Sequence, residues 1–166
     1  MDAVSKKISI RFAEARDASV IAEFNLTMAR ETEQKELLPE VVLKGVNKVL
    51  GDASIGFYVI AERGDEVVGS LMVTTEWSDW RNGVFWWIQS VYVRPCERRN
   101  GAYTRLYQFI REAAKNDPVV CGFRLYVDKR NALAKQAYQS LGMIETDYQV
   151  FEEMKPGFCF LDSAAG

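Results

Sequence analysis

The segment that most constrains this chain is a run of strand formers, Val84 to Val93 (VFWWIQSVYV). It continues through Pro95 and a basic turn, Arg98-Arg99-Asn100-Gly101, into a helical pattern. Beyond that helix, Asp117-Pro118 breaks the pattern, and Gly122 to Val127 (GFRLYV) reads as a buried strand. A strand, a helix and a second strand in this order require a parallel pair with a right-handed crossover. The turn between strand and helix also carries chemistry. It offers the unpaired amides of a helix's first turn, the positive end of the helix dipole and two guanidinium groups, which together describe a site for phosphate or pyrophosphate.

The flanking patterns complete a sheet. Gly56 to Glu62 and Val67 to Trp77, joined by Arg63-Gly64-Asp65-Glu66, read as a hairpin, and the loop Ser78 to Gly83 leads back into the Val84 strand. A first strand is expected at Ile8 to Phe12, helices at about Ala18 to Arg30 and from Pro39 to near Gly51, and a third from Gly101 to about Asn116. A fourth begins near Asn131 and stops at Leu141-Gly142. Ile144, Thr146, Tyr148 and Val150 alternate with Glu145, Asp147 and Gln149, the pattern of a half-buried edge strand, and Phe158, Phe160 and Leu161 punctuate the tail. The expected fold is α/β (α+β). Its mixed, mainly antiparallel sheet has six to seven strands, with about four helices on both faces. A single domain should span residues 1–166, with a core over 8–154 and a tail over 155–166.

Composition narrows the chemistry. The 166 residues include no histidine, which removes every histidine-activated nucleophile and the commonest metal ligand, so no metal is expected. The three cysteines, Cys96, Cys121 and Cys159, are widely spaced and fit neither a zinc site nor a disulfide framework. A net charge of −2 gives no global pull toward nucleic acid or anionic membrane. The N-terminal MDAVSKKISI contains no signal-like apolar run, and a cytoplasmic protein is expected.

A second motif lies on the fourth helix: Asn131, Ala134, Tyr138 and Gly142-Met143, with Asn131 and Tyr138 seven residues apart and so on one face. Together with Arg98-x-x-Gly101-Ala102-Tyr103, it resembles the GNAT superfamily of acetyl-CoA-dependent N-acetyltransferases over Ile8 to Met154. Tyr103 departs from that family's small residue. The resemblance implies that acetyl-CoA is the co-substrate. Its pyrophosphate would lie on the amides and side chains of Arg98, Arg99, Asn100, Gly101, Ala102, Tyr103 and Thr104. Its pantetheine arm would lie against Asn131 and Ala134, and its acetyl carbonyl near the backbone of Val91, Tyr92 and Val93 on a bulged strand. Tyr138 would protonate the departing thiolate.

The same resemblance implies a carboxylate base on the central strands, but the position expected for it holds Gln89. Glu76 and Asp79 are the nearest candidates there. Glu31, Glu33, Glu76, Trp77, Asp79 and Trp80 are candidates for an acceptor site that attracts a cationic amine. Trp86 and Trp87, adjacent on a strand, must point to opposite faces. The expected activity is acetyl transfer to a primary amine, on a small molecule or a peptide, by direct attack. The alternative is a CoA-binding regulatory or scaffold module without catalysis. A homodimer is a further expectation from the resemblance.

Overall fold

The computed structural model describes residues 7–162. Five strands form one sheet in the order β1 (Ile8–Phe12), β2 (Gly56–Arg63), β3 (Glu66–Ser78), β4 (Gly83–Val93) and β5 (Val120–Arg124). Neighbours are antiparallel except β4 and β5, which are parallel across the helix α3 (Ala102–Lys115). Helices α1 (Ala18–Glu33) and α2 (Pro39–Gly51) precede the hairpin, and α4 (Ala132–Ser140) follows β5. The hairpin closes at Gly64-Asp65, where Gly64 holds φ +66, a value that a side chain would strain.

Alternation along β2 divides the core. Tyr58 and Ile60 point to one face and pack with Ala18, Ile21 and Ala22 of α1 and Val46 of α2. Val59 and Ala61 point to the other, where Leu71, Val73, Trp86 and Ile88 meet Leu106, Tyr107 and Ile110 of α3. Both faces of the central strands are therefore covered, which is why they read as nearly continuous apolar runs. One polar cluster braces the sheet edge: Arg11 on β1 pairs with Asp17 at 2.8 Å and with Glu62 on β2 at 2.6 Å.

Three expectations are corrected. The sheet has five strands among the described residues, not six to seven. Residues 144–150 form no strand, and Ile144, Tyr148 and Val150 are 85%, 78% and 72% exposed. Alternation shows that a segment has an apolar face, but a strand also needs an edge to pair with, and nothing in the described chain pairs with this one. The tail instead crosses to the α1–α2 connection. There Leu161 bridges Leu37, Leu38 N–H donates to Phe160 O at 2.9 Å, and Asp162 N–H donates to Glu36 O at 2.8 Å. Finally, β5 ends at Arg124 and not at Val127, because β4 leaves it.

Candidate active site

The departure of β4 is written in its register. Tyr92 pairs with Ser70 but Gln89 pairs with Met72, so Ser90 and Val91 together oppose the single residue Leu71. This is a β-bulge, and Ser90 sits at φ +48 within it. The bulge turns the end of β4 away from β5. Their pairing stops at Trp87 and Arg124, so the backbone from Ile88 to Val93 runs on without a β5 partner. A wedge opens between the two strands, edged by backbone polar groups.

The basic turn lies at the end of the same strand. Arg99 at φ +65 and Gly101 at φ +77 bend the chain into α3, whose N-cap, Gly101, makes no side-chain cap. The amide of Arg105 donates to Gly101 O at 3.0 Å, which leaves the preceding amides of Ala102, Tyr103 and Thr104 without helical partners. A Cβ at Gly101 would meet nothing within 4 Å, so the turn faces open space. Arg98 has a different setting. Its Nε donates to Val93 O at 2.8 Å, its terminal nitrogen reaches Glu31 on α1 at 2.6 Å, and its guanidinium lies over the Tyr92 ring at 5.5 Å. The turn's backbone therefore offers unpaired amides to open space, while Arg98 ties the turn to α1.

Asn131 caps α4: its Oδ1 accepts from Ala134 N–H at 3.1 Å, and its side chain is exposed. Tyr138, two turns along, is half-buried and packs edge-on against Tyr103 at 5.8 Å. Burial raises the Tyr138 phenol above its ordinary pKa. It raises Tyr103 further still, with Tyr138 and then Tyr107 adding to the effect. The Tyr103 hydroxyl is buried and has no hydrogen-bond partner among the described residues. Both phenols are therefore neutral proton carriers at physiological pH. Tyr103, the bulky residue of the first helical turn, forms the floor on which Tyr138 rests.

Of the expected acceptor residues Glu33 lies near the bulge, on the cavity that Ser90 lines, and Glu76, Trp77, Asp79 and Trp80 lie farther along the sheet. Glu76 lies four residues along β3 from Met72, about 13 Å from the bulge. Its carboxylate accepts from Trp87 Nε1 at 2.9 Å and pairs with Arg124. Asp79 and Trp80 occupy the β3–β4 turn, where Asp79 accepts from the Trp80 amide at 2.9 Å. That turn is about 23 Å along β4 from Ser90. Trp77 and Trp80, 58% and 85% exposed, are on the same remote end. Glu31 is engaged by Arg98, and Glu33 pairs with Lys35 at 2.6 Å. Trp86 is buried against the α3 face while Trp87 emerges on the other, beside Tyr126 at 5.7 Å.

What adjoins the bulge is a cavity of about 430 Å³ between α1, α2 and the sheet, lined in part by Asn25, Tyr58, Met72, Ser90 and Phe160. Asn25 and Tyr58 were not singled out in the sequence. Their only signal was a polar group set on a face that periodicity marks as inward. Among the described residues, no group of three or more Cys, Asp or Glu side chains is placed to hold a metal ion, and no helix is long and apolar enough to cross a membrane.

Comparison with known proteins agrees with this geometry. The description of the Acetyltransferase (GNAT) family matches residues 19–143. Among solved structures, a possible acetyltransferase from Clostridium difficile 630 is 46% identical, with TM-score 0.83, covering 89% of this chain and 97% of that one. More distant relatives show the fold. The aminoglycoside acetyltransferase meta-AAC0020 from an uncultured soil metagenomic sample, solved with sisomicin, is 15% identical (TM-score 0.73; 89% and 97% covered). AAC(6')-Iy, solved with the bisubstrate analog CoA-S-monomethyl-acetylneamine, is 14% identical (TM-score 0.72; 90% and 99% covered). No curated protein matches. By the extent of the family match and the near-complete overlap with its 46% identical relative, the chain belongs to the acetyltransferase (GNAT) family.

Proposed function

We propose that this protein transfers the acetyl group of acetyl-CoA to a primary amine by direct attack. One arrangement supports the reading: the β4 bulge leads directly into the uncapped N-terminus of α3, and Tyr138 of α4 packs on Tyr103 in the first turn of that helix. A CoA fits its donor set. The amides of Ala102 to Thr104, behind the open space at Gly101, suit a pyrophosphate, and the exposed side chain of Asn131 suits the pantetheine arm. When bound, acetyl-CoA supplies an acyl group activated as a thioester.

The residues of the chain then divide the work. The Val91 amide, freed by the bulge, donates to the acetyl oxygen as negative charge develops there. A neutral amine forms the new C–N bond and the C–S bond breaks. Tyr138 gives its proton to the departing sulfur, and solvent takes the surplus proton of the new amide and restores that of Tyr138. Because burial holds Tyr138 neutral, the proton is present throughout the physiological range. No carboxylate adjoins Ser90 along the strands, which favours release of the amine proton to solvent over transfer to Glu76 or Asp79.

The experiment is incubation with acetyl-CoA and a panel of amines, following free thiol. Transfer is expected, with Tyr138→Phe lowering kcat by about 10²-fold or more while CoA affinity stays within about twofold. Tight CoA binding with no thiol release on any amine would instead establish a non-catalytic CoA-binding module.

A further inference from the structure

The cavity beside the bulge is walled mainly by apolar side chains: Met28 of α1, Val42, Val46 and Val49 of α2, Met72 of β3, and the ring of Phe160. Its polar equipment is sparse and deep. The Tyr58 hydroxyl, on a residue only 3% exposed, lies beside the Asn25 amide. The Asn25 Oδ1 is solvent-inaccessible and has no partner among the described residues. An atom closed to water is closed to a ligand as well, so recognition of an occupant falls to the apolar walls of the cavity. At the rim Glu33 pairs with Lys35, which Glu152 also acts on through space.

The wall formed by Phe160 is fastened. The three backbone links from Phe160, Leu161 and Asp162 to Glu36, Leu37 and Leu38 strap the tail across the α1–α2 connection. The strap places Phe160 on the same cavity that Ser90 lines.

We infer that this cavity takes the acceptor, and that the acceptor is a small monoamine with an apolar body, of arylalkyl or branched alkyl type. The inference rests on the acetyl-transfer reading and adds the class of amine. The apolar body packs on Val46, Met72 and Phe160, and Ser90 on the wall of the same cavity brings the amine to the bulge where the acetyl carbonyl is polarised. An aminoglycoside or polyamine entering here would bring several charged or hydroxyl groups against mainly apolar walls, with Asn25, Tyr58 and Ser90 inside and a Glu33 already paired to Lys35 at the rim. A peptide amine would have to displace the strap.

The test compares phenethylamine and isoamylamine with spermidine, kanamycin and a lysine-containing peptide at saturating acetyl-CoA. The apolar monoamines should show kcat/KM at least tenfold above the others. Gly45 lines the cavity on α2, and a Cβ there meets nothing within 4 Å, so Gly45→Leu narrows the space on a helix that leucine favours. It should raise KM for phenethylamine at least fivefold, with the acetyl-CoA dissociation constant unchanged within twofold. Phe160→Ala should relax the preference and improve turnover of the larger amines relative to phenethylamine. Preference for polycations or the peptide, or an unchanged KM in Gly45→Leu, would overturn the inference and leave acetyl transfer standing. If no amine is acetylated, acetyl transfer fails. Calorimetry of phenethylamine with the CoA-loaded protein then decides the cavity alone: binding lost in Gly45→Leu supports it, and no binding overturns it.

Discussion

Replacing Gly101 with alanine tests the anion site against the bare backbone requirement of the turn. Gly101 holds φ +77 as the N-cap of α3, and a Cβ added there touches nothing within 4 Å. The folded protein should therefore lose only the left-handed strain, about 1–2 kcal/mol. For a chain of this size that lowers Tm by about 2–8 °C. Binding is a different matter. The open space in front of Gly101 is where a pyrophosphate would approach the amides of Ala102 to Thr104, and a methyl group there holds it away. Loss of one charge-assisted hydrogen bond costs about 1.5–3 kcal/mol, which weakens CoA binding by about 10- to 150-fold. Gly142→Ala is the control: it carries the same kind of strain, φ +87 with nothing within 4 Å, but at the far end of α4. Calorimetry with CoA and thermal melts on both variants give the answer. Equal losses of Tm, with a wild-type CoA dissociation constant in Gly101→Ala, would refute the placement of the pyrophosphate.

Two further expectations concern charges. Glu31 holds Arg98, and an exposed pair of this kind is worth about 0.2–1 kcal/mol. If Arg98 turns to the phosphates, Glu31→Gln should tighten CoA binding by up to about fivefold, and Arg98→Ala should weaken it; calorimetry showing neither change would remove Arg98 from the site. Asp17 braces the sheet edge. Burial alone would raise its carboxyl, but the Arg11 hydrogen bond and then the Glu14 amide outweigh burial and hold it below the usual carboxylate value. Its stabilisation is therefore present above about pH 4 and lost as pH falls through the depressed pKa. Asp17→Ala should cost about 2–4 kcal/mol at pH 7 and flatten the fall in stability between pH 5 and pH 3. Urea titrations with the same pH slope in both proteins would contradict this.

Much of this fold can be read from neighbouring residues alone. The inward positions of α3, the hairpin at Gly64-Asp65, the opposite faces of Trp86 and Trp87, and the parallel crossover all follow from periodicity and turn chemistry. These are local, because the backbone repeats every 3.6 or 2 residues. That Asn131 and Tyr138 share a face follows for the same reason, since one helix sets it, whereas the roles expected of them come from the family resemblance and not from spacing. What lay beyond the sequence depends on partners distant along the chain. The extra residue at Ser90-Val91 becomes a bulge only against the register of β3, and that bulge shortens β5 and opens the wedge. The alternation of residues 144–150 promised a strand, yet pairing needs an edge that no local pattern supplies. Glu76 and Asp79 looked near the chemistry because they are near in sequence to β4, but antiparallel pairing carries them to its far end. The cavity lined by Asn25, Tyr58 and Phe160 draws its walls from α1, α2, three strands and the tail, and only their packing brings them to the bulge.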